Sequence, residues 1–329
     1  MNITILGTGA YGLALSTMFL ENKCHITMWS HTEEQCQKLI KERKKESALP
    51  GYKISDKIKF TSNLELAVEG ANVIVIAIPV KYVTNVIKQL ATFYEKEQHI
   101  CIASKGIEQG SGLFIASIIK KYIKTKKICV ISGGTFAVDM IKKVPLGLSL
   151  ASQSKSTIAI MNKTLKNEYL QFSITNDVFG VEMYGAIKNV IAIASGMIDG
   201  MGYPESTKCM FVTKALNDIV ELIYEMGGNK KTILTYAGIG DLLLTCNSSK
   251  SRNYSFGVMI GSMVPKEKVE EYKQNTTVEG LYTLKSIYDL ITAKKINMPI
   301  INIIYDIVYN DKNIKLLEDY LKYNIKTQD

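Results

Sequence analysis

Apolar and polar positions follow two rhythms along this chain. Over the first half, short runs rich in Val, Ile and Thr alternate with stretches in which apolar residues recur at helical spacing. The runs predict strands at 2–6, 25–29, 59–60, 73–78, 99–103, 128–131 and 146–151, with helices between them at 12–21, 33–41, 64–67, 80–90 and 112–122. That alternation is the pattern of βαβ units, which lay successive strands into a parallel sheet with helices on its faces. After Asp177 the helical period takes over, with scarcely any strand signal as far as Lys326. The second half therefore reads as all-α. Domains are expected at 1–180 and 181–329, with the border between about 175 and 185 and no Pro/Gly/Ser linker to separate them.

Composition narrows the class. A length of 329 residues suits about two domains, and 47% hydrophobic with 22% charged residues is ordinary for a globular protein. Apolar windows such as 71–80 and 190–197 fall short of the roughly 18 residues of a spanning helix, so no membrane span is expected. Residues 3–20 lack a basic leader, and Gly7, Gly9 and Gly12 interrupt the apolar run, so the segment reads as folded rather than as a signal peptide. Six cysteines without a CxxC pair suggest reduced thiols and a cytoplasmic location. Three histidines leave little for a metal site, and none is expected.

The formal charge of +9 comes almost wholly from lysine, since only Arg43 and Arg252 among 40 basic residues are arginine. Nucleic-acid readers favour arginine forks interleaved with aromatics, so no nucleic-acid partner is expected. The densest lysine runs, 41–45 and 120–127, read as solvated surface. The excess still favours a small phosphorylated anion.

Gly7-Thr8-Gly9-Ala10-Tyr11-Gly12 follows a predicted strand and opens a predicted helix, the context that a dinucleotide-binding G-x-G-x-x-G requires. The first glycine permits the turn, the second admits the pyrophosphate, and the third lets helix and strand approach, while the helix N-terminus offers N–H groups to the phosphates. The first half is thus a Rossmann-type domain. At the end of the second strand, where a carboxylate would bind the ribose of NAD, stand Ser30 and His31. Without that charge a 2′-phosphate is not repelled and His31 can bond it, which leans the cofactor toward NADP(H) over NAD(H). The alternative is that His31 is a turn residue and Glu33 or Glu34 takes the ribose.

Further polar clusters interrupt apolar or small-residue surroundings. Ser104-Lys105-Gly106 and Ser132-Gly133-Gly134-Thr135 each follow a strand, at the carboxyl edge where open α/β sheets bind ligands. Lys188-Asn189 breaks an otherwise apolar helix, where desolvation would suit a lysine to proton transfer, unless the side chain merely snorkels to the helix edge. Asp241 stands between glycines and leucines, as a catalytic carboxylate or as a helix N-cap. Ser251-Arg252-Asn253 can grip a phosphate through an arginine fork and neutral hydrogen bonds.

In this order the motifs resemble the bacterial NAD(P)-dependent glycerol-3-phosphate dehydrogenase family: GTGAYG at 7–12, SKGIE at 104–108, SGGTFA at 132–137, GAIKNVIAIASGMIDG at 185–200, AGIGDLLLTC at 237–246, SRN at 251–253 and VEG at 278–280. The resemblance covers nearly the whole chain. It implies reversible conversion of dihydroxyacetone phosphate to sn-glycerol 3-phosphate for phospholipid synthesis. It makes Lys188 the proton donor and acceptor, with Lys105, Asn189, Asp241 and Thr245 around the reacting carbon. It assigns Gly7, Gly9, Ala10, Tyr11, Gly12, His31, Lys105, Ala137, Arg252, Val278 and Glu279 to the cofactor. Lys105, Gly133, Thr135, Lys188, Asp241, Ser251, Arg252 and Asn253 fall to the substrate, and a homodimer is the expected assembly.

Two departures stand out. Gly134 replaces the family's usual proline, which loosens the loop, and Glu205-Ser206-Thr207-Lys208 differs from the usual Asp-Asn-Ala before Lys or Arg, which puts a polar substrate contact there in doubt. The competing readings are a related dehydrogenase acting on a carboxylate substrate, which Arg252 would grip, and a dinucleotide sensor without turnover.

Overall fold

The structure is a computed structural model and describes residues 1–322. The chain divides into two compact units: Met1–Lys105 with Phe114–Val181, and Gly106–Leu113 with the residues from Glu182 onward.

The first unit is built on one eight-stranded sheet. Its strands are β1 (Asn2–Leu6), β2 (His25–Trp29), β3 (Ile58–Thr61), β4 (Val73–Ile76), β5 (His99–Ile102), β6 (Ile128–Ser132), β7 (Leu146–Ala151) and β8 (Leu170–Thr175), in the order β3-β2-β1-β4-β5-β6-β7-β8. The first six are parallel, in the doubly wound order 3-2-1-4-5-6. Helices α1 (Ala10–Glu21), α2 (Glu33–Glu42), α3 (Leu64–Val68), α4 (Val80–Phe93), α5 (Ile115–Tyr122), α6 (Ala137–Met140) and α7 (Lys155–Leu165) connect the strands. Central strands such as β4 and β5 are buried on both faces, which is why they read as unbroken apolar runs. One core cluster joins Ile3, Ile5, Val73, Val75, Cys101 and Ile131 to Leu15, Met18 and Phe19 of α1.

The sheet is not wholly parallel. β7 pairs antiparallel with β6, and β8 returns parallel to β7. Thirteen residues, among them the short helix α6, separate the end of β6 from the start of β7 and return the chain antiparallel beside β6. Neither β8 nor α7 stands out in the sequence. β8 is an edge strand with buried positions only intermittently along it, so it lacks an apolar run.

The second unit contains α8 (Val178–Gly200), whose first turn belongs to the first unit, and then only helices: α9 (Glu205–Glu225), α10 (Asp241–Cys246), α11 (Arg252–Gly261), α12 (Lys266–Asn275), α13 (Glu279–Lys294), α14 (Pro299–Tyr309) and α15 (Lys315–Lys322). The expected helical tail from 323 to 326 lies outside the described residues. By length and composition α8 could cross a membrane, unlike the shorter windows read from sequence, but 89% of its most apolar window is buried inside the protein. It is the core helix of this unit, packed on all sides.

α8 and α11 touch backbone to backbone. A Cβ at Gly196 would overlap the Tyr254 carbonyl oxygen and one at Gly200 that of Val258, while one at Gly257 would overlap Ile193 O and one at Gly261 Met197 O. Each helix thus presents two glycines four residues apart to the other's carbonyls. This crossing leaves no room for side chains and fixes how the two helices sit.

Candidate active site

In the first unit the glycines of the 7–12 loop have separate structural reasons. Gly7 has φ +117, where an L side chain is strained, and a Cβ there would overlap the Ala77 carbonyl oxygen. A Cβ at Gly12 would lie 2.6 Å from the Gly7 carbonyl oxygen. Gly9 differs: a Cβ would meet nothing within 4 Å, and its φ of −70° suits any residue. Only the open space beside it explains a glycine there, which is what a phosphate cradle at the N-terminus of α1 requires.

His31 is exposed, edge-on to Trp29 with ring centroids 6.2 Å apart. The alternative ribose ligand Glu33 is engaged elsewhere: Ser62 Oγ donates to it at 2.5 Å and Gln37 Nε2 at 2.6 Å, and these bonds hold its carboxyl below the usual range. Ser30 Oγ donates to Gln35 Oε1 at 2.5 Å. Both Glu33 oxygens thus already accept a hydrogen bond, and Glu34 beside it is exposed.

Lys105 stands three residues beyond the end of β5, and Ser104 before it donates from Oγ to Ile76 O at the end of β4 at 3.1 Å and to Ile78 O at 2.6 Å. After β6, Gly133 is required because a Cβ would lie 2.6 Å from Gly147 O on β7. On either side of it the hydroxyl oxygens of Ser132 and Thr135 are buried without a hydrogen-bond partner among the described residues. Ala137 opens α6, which packs on α1 near Ala10 and Tyr11.

In the second unit Lys188, on α8, is buried among apolar neighbours, and its ammonium forms a short ion pair with Asp241. It also donates to Thr245 Oγ1 at 3.0 Å, and that hydroxyl in turn donates to the Asp241 carbonyl oxygen at 2.7 Å. The N-cap position of α10 is taken by Gly240, and Asp241, the first helical residue, pairs its carboxylate with Lys188. The approach to Asp241 is shaped by a π-turn at Tyr236–Gly240, in which Gly238 packs against the Ile233 backbone too closely for a Cβ. Ser195 Oγ donates to Cys246 O at 2.8 Å and pins the far end of α10 to α8. Burial pushes the Cys246 thiol up to about 12, so it stays a thiol.

Asn189 lies beside this pair. Its Oδ1 accepts from Asn253 Nδ2 at 3.0 Å, and Asn253 Oδ1 accepts from the Gly280 amide at 2.8 Å. The Asn253 amide therefore links α8 to the start of α13, where Val278 is buried and Glu279 is the first helical residue. Ser251 caps α11 by accepting from Tyr254 N at 3.3 Å, and Arg252 is exposed at that helix's first position. Lys208 does not reach toward this cluster: its ammonium donates to Tyr254 Oη at 3.2 Å and pairs with Asp199 at 3.5 Å. Burial opposes that charge, and the bonds to Tyr254 and Asp199 outweigh it and raise the ammonium's pKa.

The same order of chemistry is found in known proteins. The description "NAD-dependent glycerol-3-phosphate dehydrogenase N-terminus" matches residues 2–158, and the corresponding C-terminus matches 177–318. The chain belongs to the NAD-dependent glycerol-3-phosphate dehydrogenase family. Among curated members, glycerol-3-phosphate dehydrogenase [NAD(P)+] of Geobacillus thermodenitrificans is 31% identical over 100% of this chain and 96% of that protein. Its counterpart in Ligilactobacillus salivarius is 34% identical over 95% and 94%. The crystal structure of glycerol-3-phosphate dehydrogenase from Coxiella burnetii, 26% identical, superposes with a TM-score of 0.92 over 98% of this chain and 99% of that one.

Reading this family member from sequence alone missed Gly280, Gly196, Gly200, Gly257 and Gly261, which set the distances between functional side chains. A signal was present for four of them, since both helices carry glycines at a spacing of four.

Proposed function

We propose that this chain is an NAD(P)-dependent sn-glycerol-3-phosphate dehydrogenase, interconverting dihydroxyacetone phosphate and sn-glycerol 3-phosphate for phospholipid synthesis in the cytoplasm. The observation that carries this reading is the buried Lys188–Asp241–Thr245 constellation, in a member of this family whose first strand ends in an open glycine cradle. Bound at that cradle, the dinucleotide supplies or accepts the hydride.

Lys188 delivers the proton to the ketone oxygen as it becomes an alkoxide, and takes it back in the oxidative direction. Asp241 compensates the buried charge and aims the ammonium, while Thr245 holds it from the neighbouring turn. Asn189 adds an amide beside it. Arg252, Ser251 and Asn253 take the substrate phosphate at the start of α11, where the helix dipole adds to the guanidinium. Lys105, Gly133 and Thr135 are further substrate ligands, and the unpartnered Thr135 hydroxyl supports that role. Gly7, Gly9, Ala10, Tyr11, Gly12, His31, Lys105, Ala137, Arg252, Val278 and Glu279 serve the dinucleotide. The first unit is then the dinucleotide domain, the second the substrate domain, and the assembly a homodimer.

A preference for NADP(H) is supported by the exposed His31 and by the hydrogen bonds that engage Glu33 with Ser62 and Gln37. Loss of nicotinamide absorbance on adding dihydroxyacetone phosphate, run in parallel with NADPH and NADH, tests both parts. Turnover with unphosphorylated dihydroxyacetone at the same efficiency would remove the phosphate grip, and faster turnover with NADH would reverse the cofactor preference.

A further inference from the structure

The segment between α2 and β3 is a folded strap. Arg43 closes α2 in the left-handed region, with φ 49°, and its guanidinium donates to Ile58 O at 2.8 Å. The Ile54 amide donates back to Arg43 O at 2.7 Å, Lys44 and Lys53 form an antiparallel bridge, and Leu49 and Ile54 are buried. The strap is therefore anchored at both ends and through its middle.

From this strap Lys45 reaches the dinucleotide loop. Its ammonium donates to the carbonyl oxygen of Thr8 at 2.9 Å, the residue between Gly7 and Gly9. That carbonyl is its one partner among the described residues, and no carboxylate pairs with it. Desolvation lowers its pKa. The contrast with Lys188 and Lys208 is plain, because those buried ammonium groups face Asp241 and Asp199. A half-buried cation with only a neutral acceptor lacks its counter-charge. The sequence placed Lys45 in a run taken for solvated surface, and the structure takes it out of that run.

We propose that Lys45 is a phosphate ligand for the dinucleotide: anchored on Thr8, its ammonium supplies the positive charge that the glycine cradle, made only of backbone groups, lacks. The inference rests on the reading that residues 7–12 hold the dinucleotide. The recognised group is an anionic phosphate, either the diphosphate bridge or the 2′-phosphate. Arg and Lys contacts to phosphate are charge-assisted, so loss of this one weakens binding about tenfold or more.

Fluorescence titration of the full chain with NADPH and with NADH tests this in wild type and in Lys45→Met, Lys45→Gln and Lys45→Arg. Met and Gln are expected to weaken binding alike, Arg to recover part of it, and the salt dependence of the neutral variants to become shallower. An equal loss for both dinucleotides places Lys45 at the diphosphate, and a loss confined to NADPH places it at the 2′-phosphate. Gln keeps a donor for Thr8 O without the charge. Wild-type affinity in Lys45→Gln, or unchanged affinity in Lys45→Met, overturns the proposal and leaves Lys45 a structural tie. Should Lys45→Met fail to fold, the Gln and Arg pair decides alone. Gly9→Ala, which the open space beside Gly9 accommodates, reports on the cradle separately: a weaker dinucleotide is expected, and unchanged affinity there means the loop reading has failed and Lys45 falls with it.

Discussion

Gly257→Ala is the sharpest test of how the second unit holds its chemistry together. The added methyl would overlap Ile193 O and sit 2.8 Å from Ile193 C and 3.0 Å from Met197 N, all backbone atoms of α8. Carbon contacts are comfortable at about 3.5–4.0 Å, so α11 must withdraw from α8 by roughly 1 Å. That strain costs about 1–3 kcal/mol, against which the helix propensity of alanine returns only about 0.5–1 kcal/mol. The same withdrawal lengthens the Asn253–Asn189 bond from 3.0 Å to beyond hydrogen-bonding range and moves Arg252 with it. Misplacement on this scale near reacting groups costs about a hundredfold in rate. We therefore expect kcat/KM for dihydroxyacetone phosphate to fall by about that factor, with a smaller loss of dinucleotide affinity through the displaced Arg252 and a lowered melting temperature. Steady-state kinetics alongside thermal denaturation measure both. Wild-type kcat/KM in a stably folded Gly257→Ala would refute the idea that the glycine crossing sets the site.

Three further outcomes follow from the structure. Lys188→Ala should abolish turnover, keep dinucleotide binding and destabilise the fold by about 3–5 kcal/mol, because the buried Asp241 carboxylate loses the counter-charge of Lys188; adding Asp241→Asn should restore much of the stability and none of the activity, and urea melts of both variants would expose an error in that pairing. Burial holds the His99 imidazole, bonded through Nδ1 to Thr157, below its usual pKa of 6.5. The unfolded chain then binds the extra proton first, so this contribution to stability is complete above 6.5 and is lost as pH falls from 6.5 toward the lowered folded value; denaturant midpoints across that window should lose part of their slope in His99→Gln, and an identical slope would contradict it. Among the six cysteines only Cys209 is exposed, so a thiol reagent should label one site in the native protein and six after denaturation; prompt labelling of Cys246 would mean the core around Lys188 opens readily.

What the sequence could show depended on range. β1, the glycine loop and α1 are adjacent in the chain, and the spacing of the glycines reports their contacts directly. Lys188 was conspicuous because a charge on an apolar helix has few explanations, and Asp241 because it stands among leucines. Whether Asp241 capped its helix or met Lys188 depended on a contact 53 residues away, which no local pattern encodes. The antiparallel β7 was legible as a strand but not in its direction, since a strand's own apolar pattern is the same whichever way it runs beside its neighbour. Lys45 was misread for the reason that left Asp241 open between two roles: a lysine in a lysine run looks solvated until the strap that carries it is folded over α1's entrance. The amide link from Asn189 through Asn253 to Gly280 joins three separate helices, and each of these residues taken singly has a commonplace explanation.

Residues Gly106–Leu113 leave the first unit immediately after Lys105, fold back on themselves through Glu108 and Leu113, and join the second unit, where Ser286 Oγ meets Ile107 O at 3.4 Å. The polypeptide thus passes between the units three times rather than once. No single cut yields either module whole: a fragment beginning at 182 lacks eight residues of its own body, including the fully buried Ile107. Gene fusions or shuffled halves that treat the border as a simple junction would leave each piece with a gap.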